Sequence, residues 1–349
     1  MKPKLSICIP THNRAKYLPA LLDSIVSQVN ENFFWEVCIS DNGSEDNTYQ
    51  IVEKYQKQYK NIRYFRWQQN VGYGRNCLKV VEIAKGDYCW IVGSDDVLVS
   101  DAIKNCLDIL QSNDVDMMMG GSIKCDLNLV KSQVSDFSSY LSYTHPSKNI
   151  IFNLSDVSQF IKYCEKPCGE KFFTYISIVL FKKEKWDGVV DKIKDAWVFN
   201  SPWIHSYVFL SFFKEYDNCQ LFCLNKNLVF YRGGNFSFSR NDRIKRVFCD
   251  LFDFRDVIDQ IFSADLVRRI ILLKHMQICT NYYCMIKRLV LIKMGTDDYL
   301  YNFVKQNCCY TFRQKINFAI VGFVCGNVFF RYFIDLLINL YERRGVGKI

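Results

Sequence analysis

Four times in its first 112 residues the chain runs through a short apolar segment, stops on a polar cluster and then enters an amphipathic stretch of helix length. LSICIP leads to a helical pattern from Ala15 to Val29, WEVCISD to one from Glu45 to Tyr59, NIRYFRW to one from Gly72 to Ala84, and DYCWIVG to one from Ser100 to Leu110. Strands alternating with helices of this length imply right-handed βαβ units and a mostly parallel sheet. The strand segments are nearly continuous in apolar residues, as expected of strands covered on both faces. In such sheets ligands bind beyond the carboxyl ends of the strands. Those ends carry Pro10-Thr11-His12-Asn13-Arg14, Ser40-Asp41-Asn42-Gly43-Ser44, Asn70-Val71-Gly72-Tyr73-Gly74-Arg75-Asn76 and Ser94-Asp95-Asp96, four polar clusters on one rim.

After Val115-Asp116-Met117-Met118-Met119 the rhythm changes. Residues 132–148, rich in Ser, Tyr and Thr, are predicted to form a long loop or lid. A strand over Tyr175–Phe181, a helix starting near Pro202 and a strand over Leu228–Tyr231 follow. The pattern is helical and basic from Asp242 onward. This divides the chain into a ligand-binding half (1–112), a second half (113–240) and a basic helical region (241–349).

With 349 residues and 49% hydrophobic content the chain can bury a large core, which argues against disorder. Its 16 cysteines lie within apolar patterns and form no Cys-x-x-Cys pair, so we expect reduced structural thiols in a cytosolic protein. The N-terminal apolar run is too short for a signal peptide. The longest apolar stretch, INFAIVGFVCGNVFFRYFIDLLINLY, is interrupted by Asn317, Asn327, Arg331 and Asp335, and no transmembrane segment is expected. Of the net charge of +9, most resides beyond Asn241, where 17 Lys and Arg face 10 Asp and Glu. Such a bias favours an anionic surface. Arg268, Arg269, Lys274, Lys287, Arg288 and Lys293 suit an anionic leaflet, or equally a solvated bundle face. No nucleic-acid motif accompanies the charge, and no nucleic-acid partner is expected.

Adjacent carboxylates after a buried strand are costly unless a cation or hydrogen bonds compensate them. Asp95 and Asp96 offer hard oxygen ligands for Mg²⁺ or Mn²⁺, although Asp also favours helix caps. Asp41 with Asn42-Gly43 is equally compatible with turn chemistry. Gly72-Tyr73-Gly74 ahead of a helix would let backbone amides approach a phosphate, with Arg75 adding charge. Because this motif follows the third strand and lacks the last glycine of Gly-x-Gly-x-x-Gly, a nicotinamide-binding Rossmann domain is disfavoured. A receiver-like signalling domain is disfavoured too, because the third strand ends in Trp67-Gln68-Gln69-Asn70 without the required Asp.

Taken in order, PTHNRAKYL, EVCISDNGSEDNT, QNVGYGRN and GDYCWIVGSDDVL resemble the N-terminal domain of family 2 glycosyltransferases, which have the GT-A fold: α/β, Rossmann-like, with a mostly parallel central sheet. GDYCWIVGSDD, FFTYISIVLFKKEKWDG and NKNLVFYRGGNFSF further resemble the abequosyltransferase-type branch, which adds dideoxyhexoses or similar sugars to lipid-linked O-antigen units. The resemblance implies a nucleotide-sugar donor contacted by Thr11, Arg14 and Arg75, a base bound by Asp41, a ribose near Asp95 and a divalent Mn²⁺ or Mg²⁺ at Asp96. Pro10, Asn70, Gly72 and Ser94 complete the donor-binding set. It also implies a polyprenyl-diphosphate-linked oligosaccharide acceptor and a peripheral location on the cytoplasmic face of the inner membrane. An ordinary hexose or rhamnose donor, and a non-catalytic nucleotide-binding scaffold, are the alternatives.

Two positions depart from the family pattern. An additional Asp two residues before the pair is replaced by Gly93. The Glu-Asp pair that supplies the family's catalytic base is missing from DAWVFNSPWIHSYVFL, where His205 is the nearest titratable group on the predicted helix and Asp195 lies upstream. His205 suits a base by its ordinary pKa, but beside aromatic residues it equally suits a core position. Trp186, Trp197, Trp203 and Tyr231 are candidates for stacking an acceptor sugar, or for packing the core. Arg232-Gly233-Gly234-Asn235 either closes over the donor phosphates or forms a turn.

Overall fold

The computed structural model describes residues 3–28, 35–129, 148–164, 175–233 and 254–279, with side chains up to Leu272. Residues 132–147 of the loop expected at 132–148, and the apolar stretch near the C-terminus, lie outside the described residues. The chain divides into two units, Met1–Gly233 with Asp256–Leu272, and Gly234–Arg255 with Leu273–Ile349. The first unit holds strands from both 1–112 and 113–240 in one sheet. It also takes in Asp256–Leu272, which the sequence grouped with the basic region.

Four parallel strands form the first half: β1 (Leu5–Thr11), β2 (Trp35–Asp41), β3 (Ile62–Arg66) and β4 (Tyr88–Ile91). Helices α1 (Leu18–Val26), α2 (Thr48–Gln58) and α3 (Tyr73–Glu82) connect them. The strand order is β3-β2-β1-β4, so the chain first moves outward from β1 and then returns to its other side. Right-handed crossovers therefore place α1 and α2 on one face of the sheet and α3 on the other. All seven residues of β2 are buried, as are Tyr88–Ile91 of β4, which explains their unbroken apolar character. Helix α1 carries Pro near its start and buries Leu18, Leu21, Leu22 and Ile25, one face at helical spacing.

The second half continues the same sheet. A two-residue strand β5 (Val97–Leu98) follows the acid pair, then come α4 (Ala102–Ser112), β6 (Met117–Cys125), β7 (Ile150–Asn153) and α5 (Val157–Cys164). A 3₁₀ turn at Ile176–Ile178 leads into β8 (Val179–Lys182) and α6 (Lys183–Val190). Helix α7 (Ile204–Glu215) and the long strand β9 (Gln220–Arg232) complete the sheet, and α8 (Phe254–Ile261) and α9 (Leu266–Cys279) follow.

Strand β8 inserts between β4 and β6 and runs antiparallel to both. β9 runs parallel to β6, and β5 and β7 pair antiparallel with its two ends. This parity sets the geometry of the site. The carboxyl ends of β1, β4, β6 and β9 and the amino end of β8 all reach one rim.

The described cysteines, Cys8, Cys38, Cys77, Cys89, Cys106, Cys125, Cys164, Cys219 and Cys223, are all buried, and none is in a disulfide. Burial pushes up the thiols of Cys77, Cys106, Cys219 and Cys223, and the Cys8 thiol is pushed well up, by burial first. Trp186 is 1% exposed, stacked on Phe181 at 4.6 Å and edge-on to Phe209 at 5.8 Å. It is a core residue with its ring covered, which corrects the expectation that it stacks an acceptor sugar.

Candidate active site

The strand order switches between β1 and β4, and it is outside the carboxyl ends of the strands at such a switch point that open α/β sheets form their ligand crevice. The polar rim clusters are fastened to one another around it. Asn13, in the left-handed region at φ 51°, donates its amide to Ser44 Oγ at 2.8 Å and accepts from the Glu45 amide at 2.9 Å. The Ala15 amide donates to Asp46 Oδ2 at 2.9 Å. Asn42 donates to Asn70 Oδ1 at 2.9 Å and accepts from the Val71 amide at 2.8 Å, and the Gly72 amide also donates to Asn70 Oδ1, at 2.9 Å. Gly43 (φ 70°) lies so near the third loop that a Cβ would sit 2.6 Å from the Gln69 carbonyl carbon. Beneath the loops, buried Asn76 accepts from Ser40 Oγ at 2.7 Å and Trp67 Nε1 at 3.2 Å and donates to the Ser40 carbonyl at 2.9 Å.

Asp41, expected to hold a base, is fully buried. Its carboxylate accepts from the Ser44 amide at 2.8 Å and the Tyr64 hydroxyl at 2.6 Å, with Arg66 Nε at 3.8 Å. Burial and this carboxylate push the Tyr64 hydroxyl far above its ordinary pKa. In this conformation Asp41 shapes the loop after β2. Pro10 pairs with Ser40 in the β1–β2 register and Thr11 with Asp41. Thr11 Oγ1 is buried with no hydrogen-bond partner, an orphaned polar atom at the crevice.

The acid pair follows β4. Asp96 is 3% exposed, and its carboxyl is pushed up to about 7, by burial first and by the charge of Asp95 second. Offsetting donors come from the second half of the sheet: the Tyr175 hydroxyl donates to Asp96 Oδ2 at 2.8 Å and the Arg232 amide to Oδ1 at 3.4 Å. Ser177 also lowers the Asp96 pKa and accepts from the Gly93 amide at 2.9 Å. Both carboxylates crowd the open face of Gly93, where a Cβ would lie 3.1 Å from Asp95 Oδ1 and 3.1 Å from Asp96 Oδ2. The glycine leaves room for the two oxygens at the position where the family pattern places a further Asp.

Two arginines border the pair. Arg14 Nη1 lies 4.0 Å from Asp95 Oδ2. Arg232, 7% exposed, donates from Nε to the Asp95 carbonyl at 2.9 Å and from Nη1 to the Leu127 carbonyl. Their guanidinium carbons sit 5.6 and 4.9 Å from the ring of Tyr17, on the turn entering α1. Buried Ser94 completes the rim beside them.

The other expected site residues are placed as follows. Arg75 is exposed at the start of α3 and donates to Asn200 Oδ1 at 3.2 Å, while Gly74 permits close approach to the 198–201 turn, since a Cβ there would lie 2.4 Å from the Phe199 carbonyl oxygen. Gly72, at φ 91°, takes a conformation that favours glycine. His205 is 5% exposed among Tyr73, Trp203 and Phe209, with ring centroids 6.0–6.3 Å away. Trp203 is 6% exposed, which leaves little of its ring for an acceptor and corrects that expectation, whereas Trp197 is 40% exposed. Asp195 is exposed and accepts from Gln260 Nε2 on α8. Thus Thr11, Arg14, Ser94, Asp95 and Asp96 meet at the crevice, with Asn70 and Gly72 in the adjoining loop, while Asp195 is held by α8. Tyr17, Tyr175 and Ser177 were not anticipated, and the Arg232 contact with Asp95 is more specific than either expectation for its segment. Tyr175 and Ser177 reach the rim because β8 is antiparallel, and no local sequence signal encodes that parity.

The donor set fits a small hard cation: carboxylate oxygens of Asp95 and Asp96, the latter deeply buried and raised in pKa by burial first and by the neighbouring Asp95 charge second. Among the described residues no group of three or more His, Cys, Asp or Glu side chains converges, so further ligands would be substrate or water oxygens.

A mixed α/β sheet with an acid pair at its switch point is the architecture of the GT-A fold, and the solved structures that this chain resembles share that fold. Its TM-score is 0.57 to residues 1–349 of S. aureus TarS crystallised with UDP, at 15% identity over 93% of this chain and 92% of that one. It is 0.53 to the mannosyltransferase PcManGT of Pyrobaculum calidifontis in complex with GDP-Man and Mn²⁺, at 12% identity over 92% and 85%. The Glycosyl transferase family 2 profile matches residues 6–167. The chain is 33% identical to abequosyltransferase RfbV of Salmonella typhimurium over 75% of its own length and 76% of that protein's. This chain belongs to glycosyl transferase family 2 and is a transferase.

Proposed function

We propose that the protein transfers a sugar, by preference a dideoxyhexose, from a nucleoside diphosphate donor to a polyprenyl-diphosphate-linked oligosaccharide during O-antigen or related surface polysaccharide synthesis. The observation that carries this reading is the acid pair at the switch-point crevice, flanked by Arg14 and Arg232. The extended likeness to an abequosyltransferase supports the donor and acceptor classes. In the reaction the anomeric C–O bond to the diphosphate breaks, the acceptor oxygen forms the new bond, and its proton passes to a base. Mn²⁺ or Mg²⁺ held by Asp96 with Asp95 would neutralise charge developing on the leaving diphosphate. The fixed cations Arg14 and Arg232 border the same charge from the protein side. Thr11, Asn70, Gly72, Arg75 and the loop shaped by Asp41 receive the nucleotide.

For the base we retain His205, whose ring adjoins Tyr73 at the end of the third rim loop, with Asp195 second. His205→Gln should abolish transfer but not donor binding if the imidazole accepts the proton. Near-normal transfer in that variant would assign the ring to packing alone.

We place the enzyme peripherally on the cytoplasmic face of the inner membrane. Among the described residues no helix is long and apolar enough to cross a membrane. Support for surface binding comes from α9, whose Leu266, Val267 and Ile270 are 59, 48 and 62% exposed and precede a basic stretch of sequence. The deciding experiment is donor hydrolysis against UDP-, CDP-, GDP- and dTDP-sugars with and without Mn²⁺. Turnover of a dideoxyhexose donor that is lost in Asp96→Ala supports the reading. Turnover of a plain hexose donor alone removes the dideoxyhexose assignment, and binding without any turnover removes the enzymatic one.

A further inference from the structure

A second charged feature occupies the same rim, on the side away from Arg14. Lys124, near the end of β6, is half-buried, and its ammonium pKa is lowered by desolvation alone. No carboxylate among the described residues pairs with it. A lysine taken partly out of water without a counter-ion is unfavourable unless an anion arrives to join it.

Its surroundings indicate which anion. Lys124 pairs in register with Tyr231 of β9, so both side chains rise from the same face of the sheet. The Tyr231 ring packs edge-on to Tyr175 at 5.1 Å, and Tyr175 is the residue that donates to Asp96. Tyr231 and Tyr175 are each partly open to solvent. Gly233 keeps space beside the lysine, since a Cβ there would lie 3.5 Å from Lys124 Cε. Two aromatic rings thus lead from the acid pair to an unpartnered cation, all in the second half of the sheet. Aromatic rings cover the apolar faces of sugars, and an ammonium recognises oxyanions as a point charge.

We infer that Lys124, Tyr231 and Tyr175 form an acceptor subsite in which Lys124 binds a phosphate oxyanion carried by the acceptor. This rests on the proposed transferase reading. The shared chemistry is a phosphate group, whether the lipid diphosphate or a phosphate on the acceptor's own sugars.

The test uses the full chain in chelator and inorganic pyrophosphate as the probe, with binding measured calorimetrically at matched ionic strength. Losing one charge-assisted contact should weaken binding about tenfold or more in Lys124→Met. Lys124→Arg should stay near wild type, and Arg14→Ala, on the donor side, should change affinity by less than about threefold. Lys124→Gln provides a second neutral variant should Lys124→Met fail to fold. Equal affinity in the wild type and the neutral variants, loss in Arg14→Ala, or no pyrophosphate binding by the wild type overturns the subsite. The assay needs no sugar transfer, so its failure is separable from failure of the donor-hydrolysis panel. Orthophosphate then distinguishes the sources: equal competition by orthophosphate supports a single phosphate on the acceptor's sugars, and preference for pyrophosphate supports the lipid diphosphate.

Discussion

Asp96→Asn should stabilise the metal-free protein, and by an amount that grows with pH. In the folded state the Asp96 carboxyl is pushed up to about 7, chiefly by burial, whereas in an unfolded chain it titrates near 3.8. Below 3.8 both states hold the proton and the residue contributes nothing to pH dependence. Between 3.8 and 7 the unfolded state releases it while the folded state retains it, so folding loses stability as pH rises. Keeping the acid neutral over that span corresponds to about 4 kcal/mol once pH exceeds 7. Roughly a third of this is already lost at pH 5, leaving about 2–3 kcal/mol to be lost between pH 5 and pH 8. Asparagine has the same shape and does not ionise; its Oδ1 can accept from the Arg232 amide while its Nδ2 donates to the Tyr175 hydroxyl, which reverses its role. Urea unfolding of wild type and Asp96→Asn in chelator at pH 5 and pH 8 should therefore show a gap that widens by about 2–3 kcal/mol at the higher pH. A constant gap, or one that narrows, would refute the claim that the buried carboxyl lacks positive charge. With Mn²⁺ present, the wild-type profile should flatten and the asparagine profile should not change.

Three further perturbations bear on the same rim. Tyr175→Phe removes the hydroxyl donor to Asp96, and because that bond favours the ionised form, the acid should become harder to ionise. The acidic limb of the donor-hydrolysis pH profile should then move upward by up to about one pH unit, and a downward shift would contradict the assignment. Gly74→Ala places a Cβ 2.4 Å from the Phe199 carbonyl oxygen, so α3 must move away from the 198–201 turn; we expect a loss of about 2 kcal/mol in urea unfolding and weaker nucleotide binding. Asn76→Ala leaves Ser40, Trp67 and the Ser40 carbonyl without their buried partner and should cost about 2–3 kcal/mol, measured the same way.

The first half of the site could be read from sequence because parallel βα units deliver one loop per strand to one rim. Pro10–Arg14, Ser40–Ser44, Asn70–Asn76 and Ser94–Asp96 each follow a buried strand, and the structure holds them together through Asn13, Asn42 and Asn76. The second half could not be read this way. A segment such as Tyr175–Phe181 has the same apolar character whether its strand runs parallel or antiparallel, yet only the antiparallel arrangement brings Tyr175 to Asp96. β9 extends over Gln220–Arg232, well beyond the four-residue segment its hydrophobicity suggested, because β5, β6 and β7 all pair with it. Trp186 shows the same limit at the level of one residue: aromaticity marks a ring that can stack, but only packing of α6 against Phe181 and Phe209 decides what it stacks on.

The division of labour across the sheet has a consequence for specificity. The carboxylates of the acid pair come from the first half, which the family profile matches up to residue 167, but the donors that partly satisfy Asp96 come from Tyr175, Ser177 and Arg232, beyond it. A change in Tyr175 or Ser177 alters how readily Asp96 ionises and therefore how strongly it attracts a cation, whereas the Arg232 donor is a backbone amide that a side-chain exchange leaves in place. Tyr231, beside Arg232 on β9, pairs with Lys124 of the neighbouring β6, and we assign both to the acceptor. Divergence confined to the second half can thus retune the charge of the acid pair and the acceptor subsite together, while the loops that receive the nucleotide stay unaltered. Exchanging Tyr175 and Ser177 singly should therefore shift the pH and Mn²⁺ dependence of donor hydrolysis more than its preference among nucleotides. A variant in this group that switched nucleotide preference with an unchanged pH profile would break the argument.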